Sequence, residues 1–168
     1  MGENLGLDYM VEGTQYGPLI DKAQFERVSA YLEKGKKVAK VLVGGETFSG
    51  KGYYAAPTIF LDPPGDSVIY KEEIFGPVVC VRTFETEDEA IALANDTAYG
   101  LAGSVYTQDV NRALRVSSKV RAGTVGVNCS SIVGPQVPMG GFGQSGDGRE
   151  LGEYALAHYT EPKSIWIK

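Results

Sequence analysis

The residues with chemical reach in this chain are two adjacent carboxylates, Glu72 and Glu73, set immediately before Ile74-Phe75-Gly76-Pro77-Val78; two cysteines, Cys80 and Cys129; and one histidine, His158. A carboxylate can accept a pair of hydrogen bonds from the vicinal hydroxyls of a sugar, which makes Glu73 a candidate binding group. On spacing alone, Glu-Glu before a Gly-Pro bend also fits an exposed turn followed by core packing of Ile74 and Phe75. A working thiolate needs a partly exposed, electropositive setting with a neighbouring base or cation. Neither cysteine has that context: Cys80 sits inside Val78-Val79-Cys80-Val81, a buried-strand pattern, and Cys129 follows Asn128 at the end of an apolar run. His158 falls at helical spacing after Leu151, Tyr154 and Ala155, which points to packing near a helix end. No other residue could supply an imidazole dyad.

No metal site is expected. Asp62, Asp66, Glu72, Glu73, Glu85 and Glu89 are scattered among turns and helix starts, without zinc or EF-hand ligand spacing. Gly141-Phe142-Gly143-Gln144-Ser145-Gly146 matches the G-x-G-x-x-G phosphate fingerprint, but the fingerprint requires a strand running directly into the glycines. Here the nearest predicted strand ends near Asn128. The match is expected to be a decoy, its glycines serving a sharp turn into a following helix.

The elements that must hold these groups follow from pattern. Asp21 to Lys37 carries Phe25, Val28 and Leu32 at helical spacing, and Val38 to Val43 then reads as a strand ending at Gly44-Gly45. Lys34, Lys36, Lys37 and Lys40 cluster where cations suit the exposed carbonyls of a helix end. Tyr53 to Phe60 and Val78 to Phe84 are β-branched and aromatic runs, punctuated by Pro63-Pro64 and Gly76-Pro77. Thr86-Glu87-Asp88-Glu89 has capping-box spacing and opens a helix reaching about Asn95, stopped by Gly100. Ala102 to Thr107 is a predicted strand, Asp109 caps a helix bearing Val110, Ala113, Leu114 and Ser117, and Thr124 to Asn128 is a further strand. Asp147 with Glu150 repeats the capping spacing before a predicted short helix through Ala157. Strands alternating with helices imply an α/β domain with a mostly parallel sheet. The run from His158 to Lys168, around Ser164-Ile165-Trp166-Ile167, reads as a last strand with no helix after it. An unpaired edge strand bearing Trp166 is expected to be covered by another chain.

Composition sets the outer bounds. A chain of 168 residues that is 43% hydrophobic can build a substantial core, since a domain of about 150 residues buries roughly 68–70% of its unfolded surface. A net charge of −5 offers no extended basic surface, so nucleic acid is not an expected partner. No apolar run approaches the ~20 residues of a membrane span, and the first residues lack the layout of a secretory signal. Without CxxC spacing the cysteines imply neither a zinc site nor a disulfide framework. A cytoplasmic protein bound to no membrane is the expectation.

Taken in order, Gly17-Pro18-Leu19-Ile20, Glu73-Ile74-Phe75-Gly76-Pro77-Val78, Asn95-Asp96-Thr97-Ala98-Tyr99-Gly100-Leu101, Gly123-Thr124-Val125 with Val127-Asn128, Pro138-Met139-Gly140-Gly141 and Ser145-Gly146-Asp147-Gly148-Arg149-Glu150 resemble the C-terminal part of the aldehyde dehydrogenase superfamily. Gly2-Glu3-Asn4 resembles the family's lead-in to Gly-Pro-Leu, which would place Met1 at an internal position of the full enzyme. The untagged Met1-Gly2 opening leans instead toward a short natural reading frame. The implied fold is a partial aldehyde-dehydrogenase-like catalytic domain over residues 1–157, with residues 158–168 as an oligomerisation strand, and hence a homo-oligomer.

By the same resemblance Glu73 is the nicotinamide-ribose ligand, Phe75 lies beside the nicotinamide, and Glu72 has no carried-over role. The cofactor of the family is NAD or NADP, with the alternative that this chain alone holds none. The loop from Cys129 to Gly141 corresponds to the mouth of the aldehyde tunnel, with Ser131, Val133 and Met139 facing a small-molecule substrate. The family pattern there is Pro-Phe-Gly-Gly, whereas this chain has Pro138-Met139-Gly140-Gly141. A flexible thioether for an aromatic wall should widen the surface; the bland alternative is a glycine-rich loop with no ligand.

In the family a cysteine thiolate adds to the aldehyde, hydride passes to NAD(P)+ and a glutamate-activated water hydrolyses the thioester. The family's Gly-Gln-x-Cys turn, its glutamate base, its oxyanion-binding asparagine and its nucleotide-binding domain have no counterpart in this sequence. Three functional readings follow: a piece of an NAD(P)-dependent oxidoreductase, inactive by itself in aldehyde oxidation; a truncated relative turned to a non-redox isomerase or cyclase reaction; or a non-catalytic binding and assembly module. For the second, Glu73, Asn128, Ser131 and Tyr159 are the candidate catalytic groups, on side-chain chemistry alone.

Overall fold

Residues 12–14, 16–48, 52–130 and 133–168 are described by a computed structural model. They fall into two units that divide between Thr83 and Phe84.

In the first unit, helix α1 spans Lys22–Val38 and starts where the Asp21 carboxylate accepts from Gln24 N at 2.8 Å, so an otherwise unsatisfied first-turn donor is paired. Lys36 and Lys37 lie in its last turn as expected, and Lys36 reaches Glu33 at 2.8 Å. Strands β1 (Lys40–Val43), β4 (Thr58–Leu61) and β5 (Val78–Val81) form one sheet in the order β1-β4-β5. Between β1 and β4 a small hairpin, β2 (Thr47–Phe48) with β3 (Tyr54–Ala55), turns the chain back. Helix α2 (Val68–Lys71) lies between β4 and β5.

The connections explain the sheet. β1 reaches β4 through the hairpin and pairs antiparallel, whereas β4 reaches β5 through a crossover containing α2 and pairs parallel. The predicted mostly parallel sheet is therefore mixed. The single strand expected over Tyr53 to Phe60 is two, broken at Ala56-Pro57, where proline lacks the N–H a ladder needs. Thr58, buried just past the break, donates its hydroxyl to Ala56 O and accepts from Gly45 N, each at 2.8 Å.

The core of this unit is Val28, Tyr31 and Leu32 of α1 against Ala55, Phe60, Ile69 and Ile74. Val28, Leu32 and Phe60 are fully buried, each worth about 1.5–3 kcal/mol relative to exposure. Gly35 is what lets α1 approach β4, because a Cβ there would stand 2.3 Å from Phe60 Cζ.

The second unit holds α3 (Glu87–Asn95) and a βαβ unit of β6 (Ala102–Val105), α4 (Val110–Lys119) and β7 (Thr124–Val127), with β6 and β7 parallel. Thr86 caps α3 by accepting from Glu89 N, but Glu89 Oε2 accepts from Glu85 N at 2.8 Å, one residue earlier than the capping box expects. Asp109 caps α4, accepting from Asn111 N and Arg112 N. Of the residues expected on its packed side, Ala113 is buried and Ser117 half-buried, while Val110 and Leu114 are exposed.

The helix predicted from Asp147 does not form. Gly146, Gly148, Leu151 and Gly152 all have positive φ, which a continuous right-handed helix excludes. Asp147 accepts from the adjacent Gly148 N, Glu150 pairs with Met139 across an isolated antiparallel bridge, and a short 3-10 helix over Glu153–His158 follows. Residues 160–168 belong to no helix or strand, and Trp166 is 95% exposed. Among the described residues no helix is long and apolar enough to cross a membrane.

Candidate functional site

The turn from Glu72 to Val78 buries one side chain between exposed neighbours. Glu73 is exposed, Ile74 is buried in the core, and Phe75 is 72% exposed. Phe75 has φ +60°, a left-handed conformation that costs a non-glycine residue about 1–3 kcal/mol and persists only where surroundings over-determine it. Those surroundings are one stripe of α1. Gln24 Nε2 donates to Phe75 O at 2.6 Å and to Ile74 O at 3.3 Å, Arg27 Nη2 donates to Glu73 O at 2.6 Å, and Tyr31 OH donates to Glu72 Oε2 at 2.5 Å. Gly76 closes the turn against the same helix, for a Cβ there would lie 2.6 Å from Val28 Cγ2. A carboxylate and an aromatic ring two residues apart are thus both exposed to solvent on a clamped backbone.

That arrangement fits a nicotinamide riboside. A free carboxylate can accept from both ribose hydroxyls, and an exposed ring can lie along an aromatic heterocycle.

The remaining candidates belong to the second unit. Asn128 has φ +55° and closes the ends of β6 and β7: its Oδ1 accepts from Thr107 N and its Nδ2 donates to Thr107 O, both at 2.9 Å. Val133 and Tyr159 are exposed, and Met139 is half-buried beside Glu150. Ser131 lies outside the described residues. Met139 lines an open hollow of about 400 Å3 with Ser145, Asp147, Arg149, Glu150 and His158. Among the described residues no hydrogen bond joins Asn128, Val133, Met139 and Tyr159 to one another.

The glycine fingerprint is a decoy, as its missing strand implies. A phosphate loop needs free N–H groups, whereas Phe142 N donates to Gly100 O, Gln144 N to Ala98 O and Ser145 N to Phe142 O. The Ser145 hydroxyl accepts from Gly100 N at 3.0 Å, so this loop is stitched to residues 98–100. Arg149 completes the fold, donating to Gly141 O and Gly148 O with its guanidinium over Phe142.

Cys80 Sγ donates to Ile69 O at 3.2 Å, and burial pushes its thiol above the usual cysteine value. A reactive thiolate requires the opposite shift. His158 accepts from Arg149 N at 3.3 Å and packs against Gly148, a structural position. No group of three metal-ligating side chains occurs among the described residues.

Sequence reasoning missed Gln24, Arg27 and Tyr31. Their spacing marks one helix face, but the carbonyls and the carboxylate they hold lie far along the chain.

The unit that carries this braced turn is α/β, with β4 and β5 parallel. The model of the aldehyde dehydrogenase family matches residues 4–165, and the chain belongs to that family. It is 50% identical over 162 residues to aldehyde dehydrogenase 1A1 of Gallus gallus, covering 96% of this chain and 32% of that protein. Against an aldehyde dehydrogenase of Aspergillus niger the identity is 47%, over 94% of this chain and 32% of that protein. The NAD+ complex of aldehyde dehydrogenase from Bacillus cereus superposes with a TM-score of 0.88 at 48% identity, over 94% of this chain and 32% of that one. The chain thus spans about a third of the length of these relatives.

Proposed function

We propose that this chain carries the nicotinamide-ribose contact and the substrate-mouth loop of an NAD(P)-dependent aldehyde dehydrogenase, and that it oxidises no aldehyde by itself. The observation that carries the reading is the paired exposure of Glu73 and Phe75 on a turn held by three side chains of α1. A bound nicotinamide supplies a two-electron acceptor. Glu73 accepts from the two ribose hydroxyls and fixes the sugar, Phe75 flanks the ring, and the α1 contacts keep both from rearranging when the ligand arrives. Val133 and Met139, with Ser131, contribute to the aldehyde entrance.

The proposed inactivity draws its support from the thiols of the chain. Covalent aldehyde oxidation begins with a thiolate attacking the carbonyl. Cys80 is half-buried, bonded to Ile69 O and shifted toward the thiol form. Cys129 is half-buried just after β7.

Self-association is the second element of the proposal. Ile165, Trp166 and Ile167 are 74%, 95% and 94% exposed, and a run of apolar residues so exposed marks an interaction surface. A cytoplasmic location fits two free thiols.

The test is direct. The purified chain, given nicotinamide mononucleotide, should shift the NMR resonances of residues 73–76, and Glu73→Ala should abolish the shift. Given an aldehyde and NAD+, it should form no reduced nicotinamide. Turnover by the purified chain, or mononucleotide shifts indifferent to Glu73→Ala, overturns the reading.

A further inference from the structure

Glu72 has no role in the family resemblance, yet the structure gives it a defined partner. The Tyr31 ring is 7% exposed, packed in the core between Val28 and Leu32 of its own helix and Ile74 of the turn. Its hydroxyl donates to Glu72 Oε2 at 2.5 Å. The ring also lies beneath two cations, with Arg27 Cζ at 5.5 Å and Lys34 Nζ at 5.3 Å from its centroid. Arg27 connects this to the next residue, because the same guanidinium donates to Glu73 O. One buried aromatic ring therefore fixes the side chain of Glu72 and, through Arg27, the main chain of Glu73.

The geometry points to Tyr31 and Glu72 as positioning residues for the ribose grip: their hydrogen bond locks the start of the turn, so that Glu73 and Phe75 are presented in one orientation. The inference rests on the reading of Glu73 as the ribose ligand. The turn has two anchors. Its far end is held by Gln24 on the Phe75 carbonyl and by the close approach of Gly76 to Val28. The near end follows α2, whose last bond runs from Glu72 N to Val68 O. Beyond that bond, Tyr31 and Arg27 hold residues 72 and 73. With the near anchor lost, Ile74 remains buried but the exposed carboxylate ahead of it gains rotational freedom, and that freedom must be given up on binding.

Tyr31→Phe tests this, because it removes one hydroxyl and keeps the packed ring. Glu72→Ala removes the acceptor at an exposed position, and Glu72→Gln restores an oxygen able to accept from Tyr31. Two readouts on the full chain separate the brace from the ligand reading. In 15N relaxation without ligand, order at residues 73–76 should fall in Tyr31→Phe and Glu72→Ala and recover in Glu72→Gln. In titrations with nicotinamide mononucleotide, Tyr31→Phe and Glu72→Ala should weaken binding about tenfold, the fold-change of one charge-assisted hydrogen bond, with thermal midpoints near that of the parent. If the parent chain shows no mononucleotide binding, the ribose reading fails while the relaxation data still decide the brace. Unchanged order at residues 73–76 together with unchanged affinity in Tyr31→Phe overturns the proposal, as does a Glu72→Gln variant no better than Glu72→Ala.

Discussion

Arg27 donates to the main-chain carbonyl of Glu73 at 2.6 Å across 46 positions of sequence, tying the first helix of the chain to the turn that exposes the Glu73 carboxylate. A charged donor on a carbonyl is among the stronger neutral-acceptor hydrogen bonds. It acts on the backbone and leaves the Glu73 carboxylate free for a ligand.

The approach of α1 to the sheet beneath it should be intolerant of a single methyl. In a helix, Gly→Ala ordinarily gains about 0.8–1 kcal/mol, but a Cβ on Gly35 would stand 2.3–2.8 Å from three atoms of the fully buried Phe60 ring. Overpacking of that kind costs about 1–3 kcal/mol, so the clash wins. Gly35→Ala should lower the urea midpoint, and Phe60→Leu in the Gly35→Ala background should recover part of the loss. A Gly35→Ala chain as stable as the parent would contradict this packing.

How much of this was legible in the sequence differs by element. The first helix was, because Asp21 caps it and Val28 and Leu32 repeat at its period, and its boundaries agree to one residue. The βαβ unit around α4 was too, since Asp109 and the flanking β-branched runs leave few alternatives. The segment after Asp147 was misread: local capping spacing cannot reveal that positive φ at Gly146, Gly148, Leu151 and Gly152 breaks the helix. The mixed sheet was hidden as well, for pairing direction depends on the connections. At the candidate site, the family motif pointed to Glu73 and Phe75, whereas Gln24, Arg27 and Tyr31 were invisible because their partners lie 41–51 positions away.

Asn128 should behave as a structural clamp. Its amide pairs with both backbone groups of Thr107, and its φ of +55° suits asparagine or glycine. Asn128→Ala loses both hydrogen bonds and strains the backbone, with an expected cost of about 1–3 kcal/mol. Asn128→Gly keeps the backbone allowance and should cost less. Denaturant melts of the two variants check the order; an alanine variant at least as stable as the glycine variant would refute it.

The pair between α3 and α4 should give the stability curve an acid limb. Arg115 donates to both carboxylate oxygens of Glu87, at 2.6 and 2.7 Å. That hydrogen bonding, with the charges of Arg115, Arg112 and Lys119, holds the Glu87 carboxyl below its usual value. A carboxyl depressed on folding contributes stability that is present above its unfolded value and is lost as pH falls through the lower folded value. The urea midpoint should therefore exceed that of Glu87→Gln at neutral pH, and the gap should close in acid and shrink with added salt. Equal midpoints at neutral pH and low salt would rule this out.

The thiols should differ in reactivity in a way that bears on the proposed inactivity. Burial raises the Cys80 thiol, which reduces its thiolate fraction at neutral pH, and its Sγ already donates to Ile69 O. Alkylation follows the thiolate and its access. In the folded chain iodoacetamide should label Cys80 slowly, with a rate that climbs well into the alkaline range, and urea should make it fast. Rapid labelling of Cys80 at neutral pH would place it in an open, activated environment. Acylation of Cys80 on exposure to an aldehyde and NAD+, detected as a mass increment on its peptide, would mean that this thiol can take the nucleophile's part and that the chain does not lack aldehyde chemistry after all.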